Sequence, residues 1–157
     1  MRRQRCSISL PWEGRGRCLD EHKDTVTSLH NIGYLLQHMR DYVGALDYYQ
    51  QALRVQEKVL GKTYPETLTT IMNMAIVYRD VAKDFAKAEE MYMIALNGRE
   101  KSLWKDHEDT KMCARNLAFL LARDLKDKEK TRAIIAHHPR LAQGDGYTVS
   151  KVRPFIA

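Results

Sequence analysis

The chain has little of what interrupts regular structure, with 8 glycines and 4 prolines in 157 residues. That scarcity predicts long regular elements. Hydrophobic residues make up 44% and charged residues 29%, which are ordinary values for a soluble protein and argue against wholesale disorder. No apolar run approaches the roughly 20 residues that a membrane-spanning helix needs. We therefore expect one soluble domain with a substantial core and no membrane contact.

Cysteine is also scarce. Cys6, Cys18 and Cys113 form neither a CxxC pair nor an even-numbered framework, which predicts reduced thiols and a cytoplasmic protein. The Arg-rich opening leaves an organellar presequence as an alternative address. Its apolar stretch is too short for a secretory signal.

The positive charge is unevenly distributed. Residues 1–17 hold five arginines against one glutamate, so the remaining residues carry 21 basic and 19 acidic groups of the total +6. A duplex-binding domain usually places a basic stripe on its folded face. The nearly balanced body therefore argues against nucleic acid as a partner, and an Arg-rich N-terminal arm is the part of the chain that keeps this alternative open.

Signatures of catalysis or of a bound cofactor are missing from the sequence. Gly14-Arg15-Gly16 lacks the Lys-Ser/Thr of a phosphate loop, and no Ser/His/Asp or Cys/His set can be placed around a pocket. His137-His138 has no accompanying ligand spacing, so we interpret the pair as a solvated helix end rather than a metal site. We expect no enzyme, no cofactor and no metal.

Internal repetition is the main feature that is present. Three segments each contain an acidic residue followed by Thr, and then Asn followed by an apolar and a small residue. The acidic-Thr pairs are Asp24-Thr25, Glu66-Thr67 and Asp109-Thr110, and the Asn triplets are Asn31-Ile32-Gly33, Asn73-Met74-Ala75 and Asn116-Leu117-Ala118. The asparagines are 42 and 43 residues apart (73 − 31 and 116 − 73).

A second pattern follows the first two of these segments. Ala, Tyr and Ala recur at i, i+4 and i+7, which places them on one helical face. They are Ala45, Tyr49 and Ala52, and then Ala88, Tyr92 and Ala95. We expect the tyrosines to lie in the core between closely packed helices.

These patterns predict six helices, alternating between an A and a B type, at roughly 24–39, 42–60, 66–82, 85–103, 109–124 and 128–137. Pro65 suits the first turn of a helix, and the acidic residues favour helix N-termini. The short connections predict antiparallel neighbours and an all-α fold.

The repeat resembles the tetratricopeptide repeat (TPR), and its long unit is similar to the kinesin light chain and nephrocystin-type subfamily. The usual unit has 34 residues, whereas this one has 42. The resemblance covers about residues 12–137. It implies an α-α superhelix (a TPR solenoid) of about three helix hairpins plus a partial leading helix.

The repeat pattern divides the chain into three parts. We expect a basic flexible arm over 1–10, a repeat array over 11–139 and a loosely ordered tail over 140–157. Within the array we place a partial helix at 11–20 and repeats at 22–63, 64–106 and 107–139. The segment 12–25 is similar to the end of a B helix followed by the start of the next A helix, so we interpret the chain as a fragment of a larger array.

Departures from the repeat pattern concentrate in the third unit. Thr131 and His138 replace small alanines, Lys128 replaces an aromatic residue, and Pro139 ends the last helix. This unit is therefore either a polar terminal cap or a decayed edge.

The resemblance also implies a concave groove, lined by the A helices, that receives a peptide. An Asn amide both donates and accepts hydrogen bonds, so a ladder of asparagines suits an extended peptide backbone. Groove arginines would favour acidic side chains. The predicted groove residues are Asn31, Asn73, Asn116, His30, Tyr34, Met72, Arg79, Arg115, Phe119 and Arg123. The asparagines could instead tie adjacent helices together, and the two roles are compatible.

We therefore expect an adaptor or scaffold whose partner is a protein or an acidic peptide. One alternative is a structural fragment that self-associates through an apolar edge near Trp12 and Leu19. The other is nucleic-acid binding through the Arg-rich arm.

Overall fold

The computed structural model describes residues 23–142, and within that range the chain forms helices and no strand. The helices are α1 (Lys23–His38), α2 (Tyr42–Val59), α3 (Pro65–Val77), α4 (Phe85–Ser102), α5 (Glu108–Phe119) and α6 (Lys128–His137). The all-α prediction is confirmed. The predicted arm, the leading helix with its apolar edge, and residues 143–157 of the tail lie outside the described residues.

The helices form three hairpins. α1 packs against α2, α3 against α4, and α5 against α6, while α2 contacts α3 and α4 contacts α5 to join successive hairpins. The predicted helices at 66–82 and 109–124 extend beyond α3 and α5. One turn of π-helix follows each of these two helices, at Tyr78–Ala82 and Leu120–Asp124, and accounts for the additional residues. None of the helices in the described range is long and apolar enough to cross a membrane.

Each hairpin turns in the same way. The second helix is capped by an aspartate whose carboxylate accepts a hydrogen bond from the backbone N–H three residues ahead. The residue before each aspartate has left-handed backbone, which is unusual for a residue with a side chain. The capping residues are Asp41, Asp84 and Asp127, and the left-handed residues are Arg40, Lys83 and Lys126.

The small-Tyr-small faces of α2 and α4 form the core. All six residues of the two predicted sets are buried, so the core prediction is confirmed. A Cβ placed on Gly33 of α1 would lie 2.8 Å from the Tyr49 ring. The A helix therefore approaches the tyrosine as closely as its small residue permits.

The third hairpin keeps the fold with different side chains. α6 ends at His137 before Pro139, and a short 3-10 helix follows over Pro139–Ala142. Thr131, in place of Ala, is buried and donates its hydroxyl proton to the Asp127 carbonyl at 2.6 Å. The interpretation of the histidine pair as a solvated helix end is wrong for His138, which is 3% exposed because it folds back against α4.

Candidate functional site

The A helices α1, α3 and α5, with the π turns that follow α3 and α5, carry the predicted groove residues, and side chains join one A helix to the next. His30 Nδ1 on α1 lies 2.9 Å from Thr70 Oγ1 on α3. The Arg79 guanidinium, just after α3, lies over the Phe119 ring of α5. Neighbouring A helices therefore contact each other directly, and the predicted residues lie along one series of helices.

The His30 side chain contacts residues of both α2 and α3. Its ring lies 5.6 Å from the Tyr49 ring, and it is half-buried. Burial lowers the pKa of His30, so the neutral imidazole is favoured in the folded protein. A neutral ring here holds α1 against its neighbours and contributes no charge to a ligand.

The three asparagines have different surroundings. Asn31 is exposed, whereas Asn73 and Asn116 are half-buried. The Asn73 side chain lies close to the Tyr49 hydroxyl, which donates to Gln37 Oε1 at 2.9 Å. Burial raises the pKa of Tyr49 to about 12. Asn73 thus lies between its own helix α3 and Tyr49 of α2, as expected of an asparagine that ties adjacent helices together.

Arg79, Phe119 and Arg123 form what we call the arginine–phenylalanine cluster. The two guanidinium carbons lie 5.6 and 5.3 Å from the centre of the Phe119 ring, within cation–π range. Arg79 is held by both carboxylate oxygens of Asp80, at 2.7 and 3.0 Å. The Arg123 side chain is 67% exposed, and its Nε lies 3.9 Å from Asp124.

The remaining predicted residues are divided between surface and core. Tyr34 is exposed and stacks edge-on against His38, with ring centres 4.4 Å apart, and Arg115 is half-buried on α5. Met72 is only 5% exposed, and its sulfur contacts Cys113. The expectation that Met72 lines the groove is therefore wrong, because its position on α3 faces the next hairpin.

A buried arginine was not among the predicted residues. Arg99 of α4 is 2% exposed, and it donates to the Asp109 carbonyl at 2.7 Å and to Thr69 Oγ1 at 3.0 Å. It thereby joins α4 to both α3 and α5. The sequence shows that Gly-Arg recurs at 14–15 and 98–99, but this recurrence does not indicate that the arginine is buried.

The Cys113 thiol lies beside this arginine. Burial raises the pKa of Cys113 to about 11, so the thiol stays protonated and is a poor nucleophile at neutral pH. Cys113 and Arg99 are thus part of the core, and we assign neither of them to a ligand site.

Comparisons with known proteins agree with the fold. A family model described as "Tetratricopeptide repeat" matches residues 24–101. No curated protein sequence matches the chain. Among solved structures, BtubC (BKLC) from P. vanneervenii is similar with a TM-score of 0.74 and 17% identity, over 88% of this chain and 57% of that one. The chain thus spans little more than half of BtubC.

The nearly identical TPR-like repeats of a putative kinesin light chain from Podosopora anserina are also similar. Their structure has a TM-score of 0.63 and 20% identity over 88% of this chain and 78% of that one, and a variant of the same repeats gives the same score and identity. Likeness at this identity shows the fold. Tetratricopeptide repeats are in general non-catalytic modules that bind protein partners. Residues 24–101 thus match the tetratricopeptide-repeat family, and the described residues have an α-α superhelical fold.

Proposed function

We propose that this protein is a cytoplasmic adaptor that holds an extended, acidic peptide segment of a partner protein along its A helices, in the manner of kinesin light chain repeats. The arginine–phenylalanine cluster is the observation that carries the proposal. It joins two successive hairpins and presents a mostly exposed guanidinium beside an aromatic ring.

The cluster suits a carboxylate because the ring positions the guanidinium before a ligand arrives. An arginine stacked on an aromatic face has fewer rotamers to lose on binding, and its planar fork can still bind a carboxylate through two hydrogen bonds. Asp80 already engages Arg79, so Arg123 is the cation with more capacity for a new partner. We therefore assign the ligand's acidic side chain to Arg123.

The asparagines support the same ligand to different degrees. Asn31 is exposed, and its amide is accessible to a peptide backbone. Asn73 already contacts Tyr49, so it reaches a ligand with its remaining hydrogen-bonding capacity. Asn116 lies on α5, three residues before Phe119, and would continue the row towards the cluster. Tyr34 and Arg115 complete the set of proposed contacts.

A charge reversal tests the cluster. Fluorescently labelled peptides containing Asp and Glu are selected on a peptide array, and their affinity is measured by anisotropy. Arg123→Glu should weaken binding at least about tenfold, because it removes a charge-assisted hydrogen bond and adds repulsion. Lys101→Glu is the matched control, since it makes the same charge change at an exposed position on α4.

The two variants separate specific from general attraction. Loss of affinity in Arg123→Glu alone supports the proposal. Equal losses in both variants would show that net charge, and not the cluster, attracts the peptide. Unchanged affinity in Arg123→Glu would place the peptide elsewhere or nowhere on this face.

A further inference from the structure

A second group of polar side chains lies where α6 meets α4, away from the arginine–phenylalanine cluster. Glu100 comes from the last turns of α4, His137 is the final residue of α6, and His138 follows it. One carboxylate oxygen, Glu100 Oε1, lies 3.1 Å from His137 Nε2 and 3.0 Å from His138 Nε2. One ligand atom from each residue lies within 4.8 Å of the other two.

The end of α6 explains how two consecutive residues can face one point. Neighbouring residues inside a helix point about 100° apart, but His138 has left the helical conformation, with φ −123° and ψ 71°. The two imidazole rings are nearly perpendicular, with centres 5.0 Å apart. Both Nε2 atoms therefore turn towards the same carboxylate.

Two of these atoms are buried without the hydrogen bonds that burial demands. Glu100 Oε1 and His138 Nε2 are inaccessible to solvent, and neither finds a hydrogen-bond partner among the described residues. They are 3.0 Å apart, but the geometry is not that of a hydrogen bond. A buried polar atom left in this state costs about 1–3 kcal/mol, so a pair of them facing each other requires an explanation.

We propose that Glu100, His137 and His138 bind a divalent transition-metal ion of the Zn²⁺ type. Two imidazole nitrogens and one carboxylate oxygen are the ligands that Zn²⁺ takes when it keeps a further position open. Donor atoms around such an ion are about 3.3 Å apart when each bond is about 2.0–2.1 Å, close to the separations between Oε1 and the two Nε2 atoms.

The surroundings leave room for the remaining ligand. His137, His138 and Pro139 line a cavity of about 430 Å³ together with Lys105 and Asp106. The His138 side chain is only 2% exposed, so the residues around it hold its ring in place. The buried histidine is thus the fixed ligand, and the half-exposed His137 lies towards the cavity.

Lys105 should weaken metal binding through its contact with His137, and this provides a further test. Its Nζ lies 3.4 Å from His137 Nδ1. When Nε2 binds a metal, the proton of the neutral ring resides on Nδ1, so Lys105 can no longer donate to that nitrogen. Lys105 is exposed and free to turn away. Its removal should therefore strengthen metal binding.

The metal would fasten the last helix to the rest of the protein. α6 is already tied to α4 by an ion pair of 2.6 Å between Lys130 and Glu89, near the other end of α6. A metal at Glu100, His137 and His138 would tie the C-terminal end of α6 to α4 as well. Bound metal should therefore raise the temperature at which the third hairpin unfolds.

Titration of the full chain tests the proposal. After treatment with a chelator, Zn²⁺ binding is measured by calorimetry, and Co²⁺ binding by the visible absorption of the bound ion. We expect one strong site. His137→Ala and Glu100→Gln should each weaken it by more than about tenfold, because changes merely in the outer shell of a metal site already cost 10–100-fold. Lys105→Ala should bind more tightly.

His38→Ala is the matched control, because His38 is an exposed histidine at the end of α1 and should leave binding unchanged. Circular dichroism of the metal-free variants confirms that each one folds. Binding that is equally strong in His137→Ala and Glu100→Gln would assign the metal to other residues and overturn the proposal. Absence of strong uptake by the unmodified chain would identify the group as an ion pair only.

Discussion

At the scale of single residues, two equivalent tyrosines differ in one hydrogen bond. Tyr49 and Tyr92 occupy the same place in successive B helices, and both are fully buried. The Tyr49 hydroxyl donates to Gln37, whereas the Tyr92 hydroxyl finds no hydrogen-bond partner among the described residues. Burial raises the pKa of both phenols, so both hydroxyls keep their proton at neutral pH.

Removal of each hydroxyl should therefore have opposite effects. Tyr92→Phe is expected to raise the free energy of unfolding by about 0.5–1 kcal/mol, since it deletes an unpaired buried group. Tyr49→Phe should lower it by about 1 kcal/mol through the lost bond to Gln37. Urea unfolding of the two variants measures the difference. Similar destabilisation by both would indicate that Tyr92 has a partner such as an internal water.

The candidate site shows where reasoning from the sequence reaches its limit at this scale. Spacing identified which residues lie on the A helices, because helical periodicity fixes the face. It did not identify burial within that face, and Met72 was misplaced because its contact with Cys113 depends on how hairpins stack. The metal-ligand group was missed for the same reason, since Glu100 is 37 residues before His137 (137 − 100).

At the scale of helices, α3 and α4 pack through side chains of complementary size. A Cβ on Gly98 would lie 2.5 Å from Cδ2 of Leu68, so the glycine makes room for the leucine. At the equivalent positions 42 and 43 residues earlier, the first hairpin has Val26 and Val55. The second hairpin therefore pairs a large side chain with a glycine, whereas the first hairpin pairs two side chains of intermediate size.

Gly98→Ala should consequently destabilise the protein although alanine favours helices. The propensity gain is about 1 kcal/mol, and the clash with a fully buried leucine costs about 1–3 kcal/mol. The net loss should shrink in a Leu68→Val background, which removes the Cδ methyl groups that the new Cβ meets. A double-mutant cycle by thermal unfolding measures this coupling. Additive effects of the two substitutions would contradict the packing argument.

Helix positions were predicted well because each boundary has a local chemical cause. Pro65 and the aspartate caps are visible in the sequence, and the predicted ends differ from the observed ones by at most one residue once the π turns are included. The π turns and the left-handed residues Arg40, Lys83 and Lys126 were not predicted. Lysine and arginine are poor signals for that conformation, because they adopt it only where the neighbouring helices impose it.

At the scale of the whole molecule, Arg99 joins two hairpins through neutral acceptors. Its donation to Asp109 and Thr69 reaches α5 in one direction and α3 in the other. A buried guanidinium with a long apolar stem also fills volume that no smaller residue would fill.

Arg99→Ala should therefore lower the free energy of unfolding by about 3 kcal/mol or more, from the lost charge-assisted bonds and the cavity. Arg99→Gln should cost less, since Gln56 occupies the equivalent buried place in the first hairpin. Lys101→Ala on the same helix is exposed and should change stability by less than about 0.5 kcal/mol. Denaturant unfolding compares the three. An equally small effect in Arg99→Ala would mean that the hairpins hold together without this residue.

The first hairpin has Gln56 where the second has Arg99, and this difference affects how the hairpins pack in the correct order during folding. The two hairpins share the same repeat pattern, so either could dock in the other's place during folding. A guanidinium docked in the wrong place would be buried away from the oxygens of Asp109 and Thr69, and an uncompensated buried charge strongly destabilises such a misassembled chain. We therefore expect Arg99 to favour the native order of neighbouring hairpins. Repeats with the same residue at this position would not distinguish one order from another.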